Sequence, residues 1–138
     1  MGRIIAIDYG KKRTGLAVSD PMRMIAGGLT TLPSIAVVSF IKEYMKKENV
    51  DLIILGEPRQ MNYEPSENML RVEQFRKKLT QSIPSVPVTM VDERFTSVMA
   101  HQAMLQGGLK KTMRQNKELV DELSATILLQ HYLETLRL

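Results

Sequence analysis

Residues 4–20 read IIAIDYGKKRTGLAVSD, an apolar run that ends in an acid and a basic turn. Ile4-Ile5-Ala6-Ile7 is an unbroken apolar run, the pattern of a strand buried on both faces. A carboxylate, Asp8, stands at its end, where partial burial costs free energy unless a partner compensates the charge. The turn Tyr9-Gly10-Lys11-Lys12 follows, with Gly10 expected to supply a positive φ, and Arg13 to Ser19 reads as a second strand folding back antiparallel. A purely parallel, doubly wound sheet needs a helix between its first two strands, and nothing before Ser34 has room for one.

Outward from this hairpin, Met24 to Leu32 reads as a third, weaker strand, with Gly27-Gly28 marking a bulge and Pro33-Ser34 ending the meander and capping a helix. Val37, Phe40, Ile41, Tyr44 and Met45 recur at helical spacing between Ser34 and Glu48. Asp51 to Gly56 is a second unbroken apolar run, expected as a central parallel strand that the chain leaves at Gly56-Glu57-Pro58. Glu67 to Thr80 is helical in composition, Val86 to Val91 is a strand, and Asp92-Glu93-Arg94 ends it. Thr96 or Ser97 then caps a short helix closed by Gly107-Gly108, and a last helix is expected from Glu118 to Leu136. The sum is an α/β protein of one domain spanning residues 1–138, with a mixed five-stranded sheet whose first three strands are antiparallel and last two parallel.

Composition excludes more than it assigns. The 138 residues contain no cysteine, which removes thiol catalysis, disulfides and cysteine-based zinc sites. The N-terminal apolar run is too short for a signal-peptide core or a membrane span, so the expected location is cytoplasmic, with no membrane partner. A net charge of +4 favours an anionic partner, and the positive charge is grouped: Lys11, Lys12 and Arg13 follow Asp8, and Lys110, Lys111, Arg114 and Lys117 form a run without an acid. The second group reads equally as a solvated loop.

Acids sit where the strands end: Asp8 after the first, Glu57 after the fourth, Asp92 and Glu93 after the fifth. Reacting groups in open α/β sheets collect at such carboxyl ends. Asp121 shares a helical face with Ser124, Ala125, Leu128, Leu129 and Tyr132, near the start of a buried side, where a lone acid is as often a structural group as a functional one. Carboxylates converging at one edge repel one another unless a cation lies between them, and hard divalent ions such as magnesium take oxygen ligands. Such a site, flanked by basic loops that hold phosphates, suits phosphodiester hydrolysis.

Four blocks carry a resemblance over the whole chain: IDYGKKRTGLAVSD, LGEP, DERFTS and DELSATILLQHYL. In this order they resemble the YqgF family, also called RuvX. The resemblance implies the ribonuclease H-like fold, Mg2+ or Mn2+ as cofactor, and one of two nuclease activities: maturation of the 5′ end of pre-16S ribosomal RNA, which is preferred, or resolution of Holliday junctions, four-way DNA junctions. It implies Asp8, Glu93 (favoured over Asp92) and Asp121 as the catalytic, metal-holding acids. Arg94 and Thr96 belong to the DER block, and Lys11 and Arg13 resemble the family's basic turn. Ribosomal particles are implied partners, and the expected state is a monomer or weak homodimer. This chain departs from the family pattern at Gly56-Glu57-Pro58, where Gly-Leu-Pro is usual, so Glu57 reads either as an additional ligand or as a solvent-facing change.

Two other classes compete. Asp8-Tyr9-Gly10 with Thr14-Gly15 also resembles the phosphate-binding hairpin of actin-type and sugar kinases, although no second glycine-rich phosphate loop is visible. A non-catalytic RNA-binding assembly factor would keep the fold without the chemistry. The ten methionines fall mostly at helical core positions, and His101 and His131 are isolated, so neither set points to a metal.

Overall fold

The computed structural model describes residues 2–57, 67–92 and 117–136. Strands β1 (Arg3–Asp8) and β2 (Arg13–Ser19) pair antiparallel, and β3 (Ala26–Pro33) pairs antiparallel with β2. On the other side of β1, β4 (Val50–Glu57) and then β5 (Val88–Asp92) join in parallel. The resulting order, β3-β2-β1-β4-β5, makes β1 the central strand. That position explains its composition: Ile4, Ile5, Ala6 and Ile7 are all fully buried because both faces of the sheet are covered.

The two faces are covered differently. Helices α1 (Val37–Met45) and α2 (Glu67–Ser82) pack on one, where Ile5, Ile7, Leu16, Ile53 and Leu55 meet Val37, Ile41, Val72, Phe75 and Leu79. Helix α3 (Lys117–Thr135) covers the other, where Ile4, Ala6, Ala17 and Ile54 meet Ala125, Leu128, Leu129 and Leu133. The α3 face is built from smaller side chains on β1 and β2, so this helix sits closer to the sheet. Each fully buried leucine of α3 contributes roughly 1.5–3 kcal/mol relative to exposure.

Three local expectations change. Gly10 does not take a left-handed φ; its missing Cβ is required because the Arg13 carbonyl approaches within the space a side chain would fill. Ser34 does not cap a helix. A 3-10 turn (Ser34–Ala36) precedes α1, and no side-chain cap closes either one. The Ser34 hydroxyl instead donates to the Gly10 carbonyl at 2.6 Å and shares a 2.8 Å hydrogen bond with the Thr14 hydroxyl. The bulge expected at Gly27-Gly28 lies one residue later: Leu16 pairs with Thr30 but Ala17 with Gly28, leaving Leu29 as the extra residue. The helix expected between Thr96 or Ser97 and Gly107-Gly108 lies outside the described residues. Among the described residues, no helix is long and apolar enough to cross a membrane.

Candidate active site

Strand alternation decides which acids can meet. Along β1, Ile4 and Ala6 face α3, and Asp8 follows them on the same side. Its cross-strand partner is Gly15 of β2. A Cβ at Gly15 would collide with the backbone carbonyl of Asp121, so α3 begins its crossing of the sheet in direct contact with β2 at this position. Gly15 therefore joins two acids that are remote in sequence, Asp8 through the β-ladder and Asp121 through the helix backbone. This is the physical requirement behind a glycine in the middle of a strand: backbone approaches backbone where any side chain would intervene.

The turn between β1 and β2 is held from beneath. Besides the Ser34 contacts, the Gly10 amide donates to the Thr14 hydroxyl at 3.4 Å and the Ser34 amide donates to the Lys12 carbonyl at 2.9 Å. Thr14 is fully buried and Ser34 nearly so, so these bonds form in a low-dielectric setting where an unmade one is costly. Their effect is to fix the turn that presents Lys11 and Lys12 to solvent, where both are exposed.

Arg13, the first residue of β2, sits on the α3 side, and its Nε donates to Asp121 Oδ2 at 2.9 Å. Both side chains are partly exposed, 37% and 28%, so the pair is a charge-assisted bond in contact with water rather than a buried ion pair. The sequence reads Arg13 as a phosphate contact; its place against Asp121 puts a partly exposed cation on one of the two acids.

Glu57 and Asp92 are register partners at the ends of β4 and β5. Alternation places Glu57 with Ile53 and Leu55, and Asp92 with Val88 and Met90, all on the α1/α2 face. The structure thus brings Asp8 and Asp121 together on one face and puts Glu57 and Asp92 on the other. Glu93, Arg94, Thr96, Lys110, Lys111 and Arg114 lie outside the described residues, and Lys117 is the first residue of α3.

Among the described residues, no group of three carboxylates or histidines is placed to hold a metal. The donor chemistry of Asp8 and Asp121 nevertheless fits a hard divalent ion: both offer carboxylate oxygens, and magnesium commonly binds through one or two carboxylates while keeping several waters. Sequence reasoning missed Thr14 and Ser34 as the supports of the turn. A serine after proline before a helical stretch reads as a cap, and nothing local signals that it turns back toward Gly10.

Residues 2–135 match the family described as RuvX: Holliday junction resolvase. A Bacteroides fragilis protein carrying the provisional name pre-16S rRNA nuclease is 61% identical over 138 residues, 100% of both chains. A Phocaeicola vulgatus protein of the same name is 61% identical over 135 residues, 98% of this chain and 97% of its own. Among solved structures, Thermus thermophilus RuvC in complex with Holliday junction substrate aligns with a TM-score of 0.59 and 17% identity over 99% of this chain and 96% of that one, a likeness of fold. The mixed sheet and its helices are accordingly ribonuclease H-like.

Proposed function

The chain belongs to the RuvX family, and from that premise we propose that it is a divalent-metal-dependent endonuclease that matures the 5′ end of pre-16S ribosomal RNA. The observation that carries the reading is the contact of Gly15 with both acids: paired to Asp8 in the ladder, it also meets the backbone of Asp121. Asp8 and Asp121, with Glu93 from the DER block, would hold Mg2+ or Mn2+. Glu93 is preferred to Asp92 because Asp92 shares the face of Val88 and Met90, away from α3. Glu57 is assigned no ligand role on the same ground.

When bound, such an ion lowers the pKa of a coordinated water and stabilises charge on the leaving oxygen. The chain itself contributes position and charge. Asp8 is fixed by the central strand, Asp121 by a helix anchored through Leu128 and Leu129, and neither can drift without disturbing the core. Lys11 and Lys12, on the turn braced by Thr14 and Ser34, hold backbone phosphates, as do Arg94, Thr96, Lys110, Lys111, Arg114 and Lys117. Arg13, already bonded to Asp121 from a partly exposed position, would be free to turn to a substrate phosphate were Asp121 to hold the ion. The domain acts as one unit over residues 1–138, in the cytoplasm, as a monomer or weak homodimer and with ribosomal particles as its setting.

The substrate preference follows the names of the 61% identical relatives. The family's own description favours a second substrate, the Holliday junction. A symmetric junction cut needs two sites in register, hence a dimer. End-labelled pre-16S 5′ RNA and a four-way DNA junction, each incubated with the protein and Mg2+, Mn2+ or chelator, separate the readings. Metal-dependent cleavage of the RNA alone is expected. Symmetric junction cutting by a dimer would reverse the substrate assignment, and binding without cleavage of either would make the protein an RNA-binding assembly factor.

A further inference from the structure

Beneath the β1–β2 turn, on the α1/α2 face, lies a cavity of about 230 Å³ whose described lining includes neither Asp8 nor Asp121. Two stacked rings line it: Tyr9 and Phe75 have centroids 4.4 Å apart and planes inclined by 11°. Lys11 from the turn and Arg71 and Lys78 from α2 stand around it, all exposed, and among the described residues no acid contributes to its lining. Arg71, Gln74 and Lys78 share one side of α2 through their helical spacing. Glu73, an acid of that helix, is already engaged by Arg76 at 3.0 Å. Among the described residues, none of the three lining cations forms an ion pair. Ile35, 90% exposed, adds an apolar wall.

Three cations around one concavity attract an anion, and an aromatic and aliphatic lining favours a flat, partly apolar group beside it. We infer that this pocket binds one nucleotide of a single-stranded nucleic acid, with its phosphate on Lys11, Arg71 and Lys78 and its base against Tyr9 and Ile35. A stacked base inside a duplex cannot enter such a recess, whereas an unstacked base of a single strand can. The inference rests on the proposed nuclease activity for its purpose. Asp8 and Tyr9 are consecutive and lie on opposite faces of the sheet, so a strand crossing the end of β1 passes from the acids to the pocket. The substrate is then single-stranded beside the cut.

The test uses the full chain carrying Asp8→Asn, so that bound strand stays intact, and a fluorescent single-stranded oligoribonucleotide. Adding Arg71→Ala and Lys78→Ala should weaken binding by about tenfold and reduce the salt slope of log K by about one. A control pair, Lys42→Ala and Lys77→Ala, makes the same charge change at exposed sites outside the pocket and should keep affinity within about twofold. Equal weakening by both pairs, or no weakening by the first, overturns the inference. So does uridine monophosphate competing as well as the oligonucleotide, which would make the pocket a free-nucleotide site. Selective weakening in a protein whose native form cleaves nothing upholds the pocket and removes the nuclease; cleavage with no selective weakening does the reverse.

Discussion

Acids lie at both ends of the sheet's antiparallel half, and they are held in different ways. At the end away from the basic turn, Asp20 accepts the amides of Met24 and Ile25 at 2.8 Å each and of Met22 at 3.1 Å. Nearby, Asp51 accepts the Gly2 amide at 2.7 Å and the Arg23 guanidinium at 3.0 Å. At the other end, Asp121 is met by Arg13, a partly exposed side chain. Backbone donors cannot leave without refolding the turn they belong to, but a guanidinium on a flexible stem can. The comparison separates an acid built into the structure from one whose partner can be exchanged for a metal or a phosphate.

The largest expected effect lies at the exchangeable end. Asp8→Asn or Asp121→Asn should lower single-turnover cleavage of the RNA by about a thousandfold or more, with thermal melts showing that the protein remains folded. Gly15→Ala comes next. The new methyl meets a backbone carbonyl rather than a side chain that can turn aside, so urea unfolding should show destabilisation of about 3 kcal/mol.

At the fixed end, Asp20→Ala should lower Tm at neutral pH and leave the cleavage rate of folded protein unchanged. The amide of Ile25, followed by those of Met24 and Met22, holds the Asp20 carboxyl below its ordinary value of 3.8. With a depressed folded value, its contribution is complete above that ordinary value and is lost as pH falls through the lower one. The Tm gap between wild type and variant should therefore close in acid, and a gap constant with pH would break the contrast. Arg13→Ala is the smallest effect: a pair this exposed contributes up to about 1 kcal/mol, measurable by denaturant titration.

Much of this was legible in the sequence, for reasons that differ by element. The Ile4–Ile7 run can only belong to a strand covered on both sides, and the short turn after it forces an antiparallel partner, so the centre of the sheet follows from local pattern. Asp8 and Asp121 were legible because an acid bordering an apolar stretch is costly and conspicuous. Their meeting through Gly15 was not, since it depends on how closely α3 approaches β2, a property of tertiary packing. The pocket was equally hidden: Arg71, Gln74 and Lys78 read as the solvated side of α2, and only its placement beside Tyr9 turns that side into a binding surface. The separation of Glu57 and Asp92 from Asp8 required the observed register.

In the proposed nuclease, Asp8 and Asp121 act as one site across Gly15. A double-mutant cycle on single-turnover cleavage probes this coupling, comparing Asp8→Asn, Asp121→Asn and the double variant in Mn2+. Groups acting as a unit are strongly non-additive, so the double variant should be about as slow as either single one. Losses that multiply, with the double variant slower by the product of the two, would place the acids in separate roles and rule out a shared site.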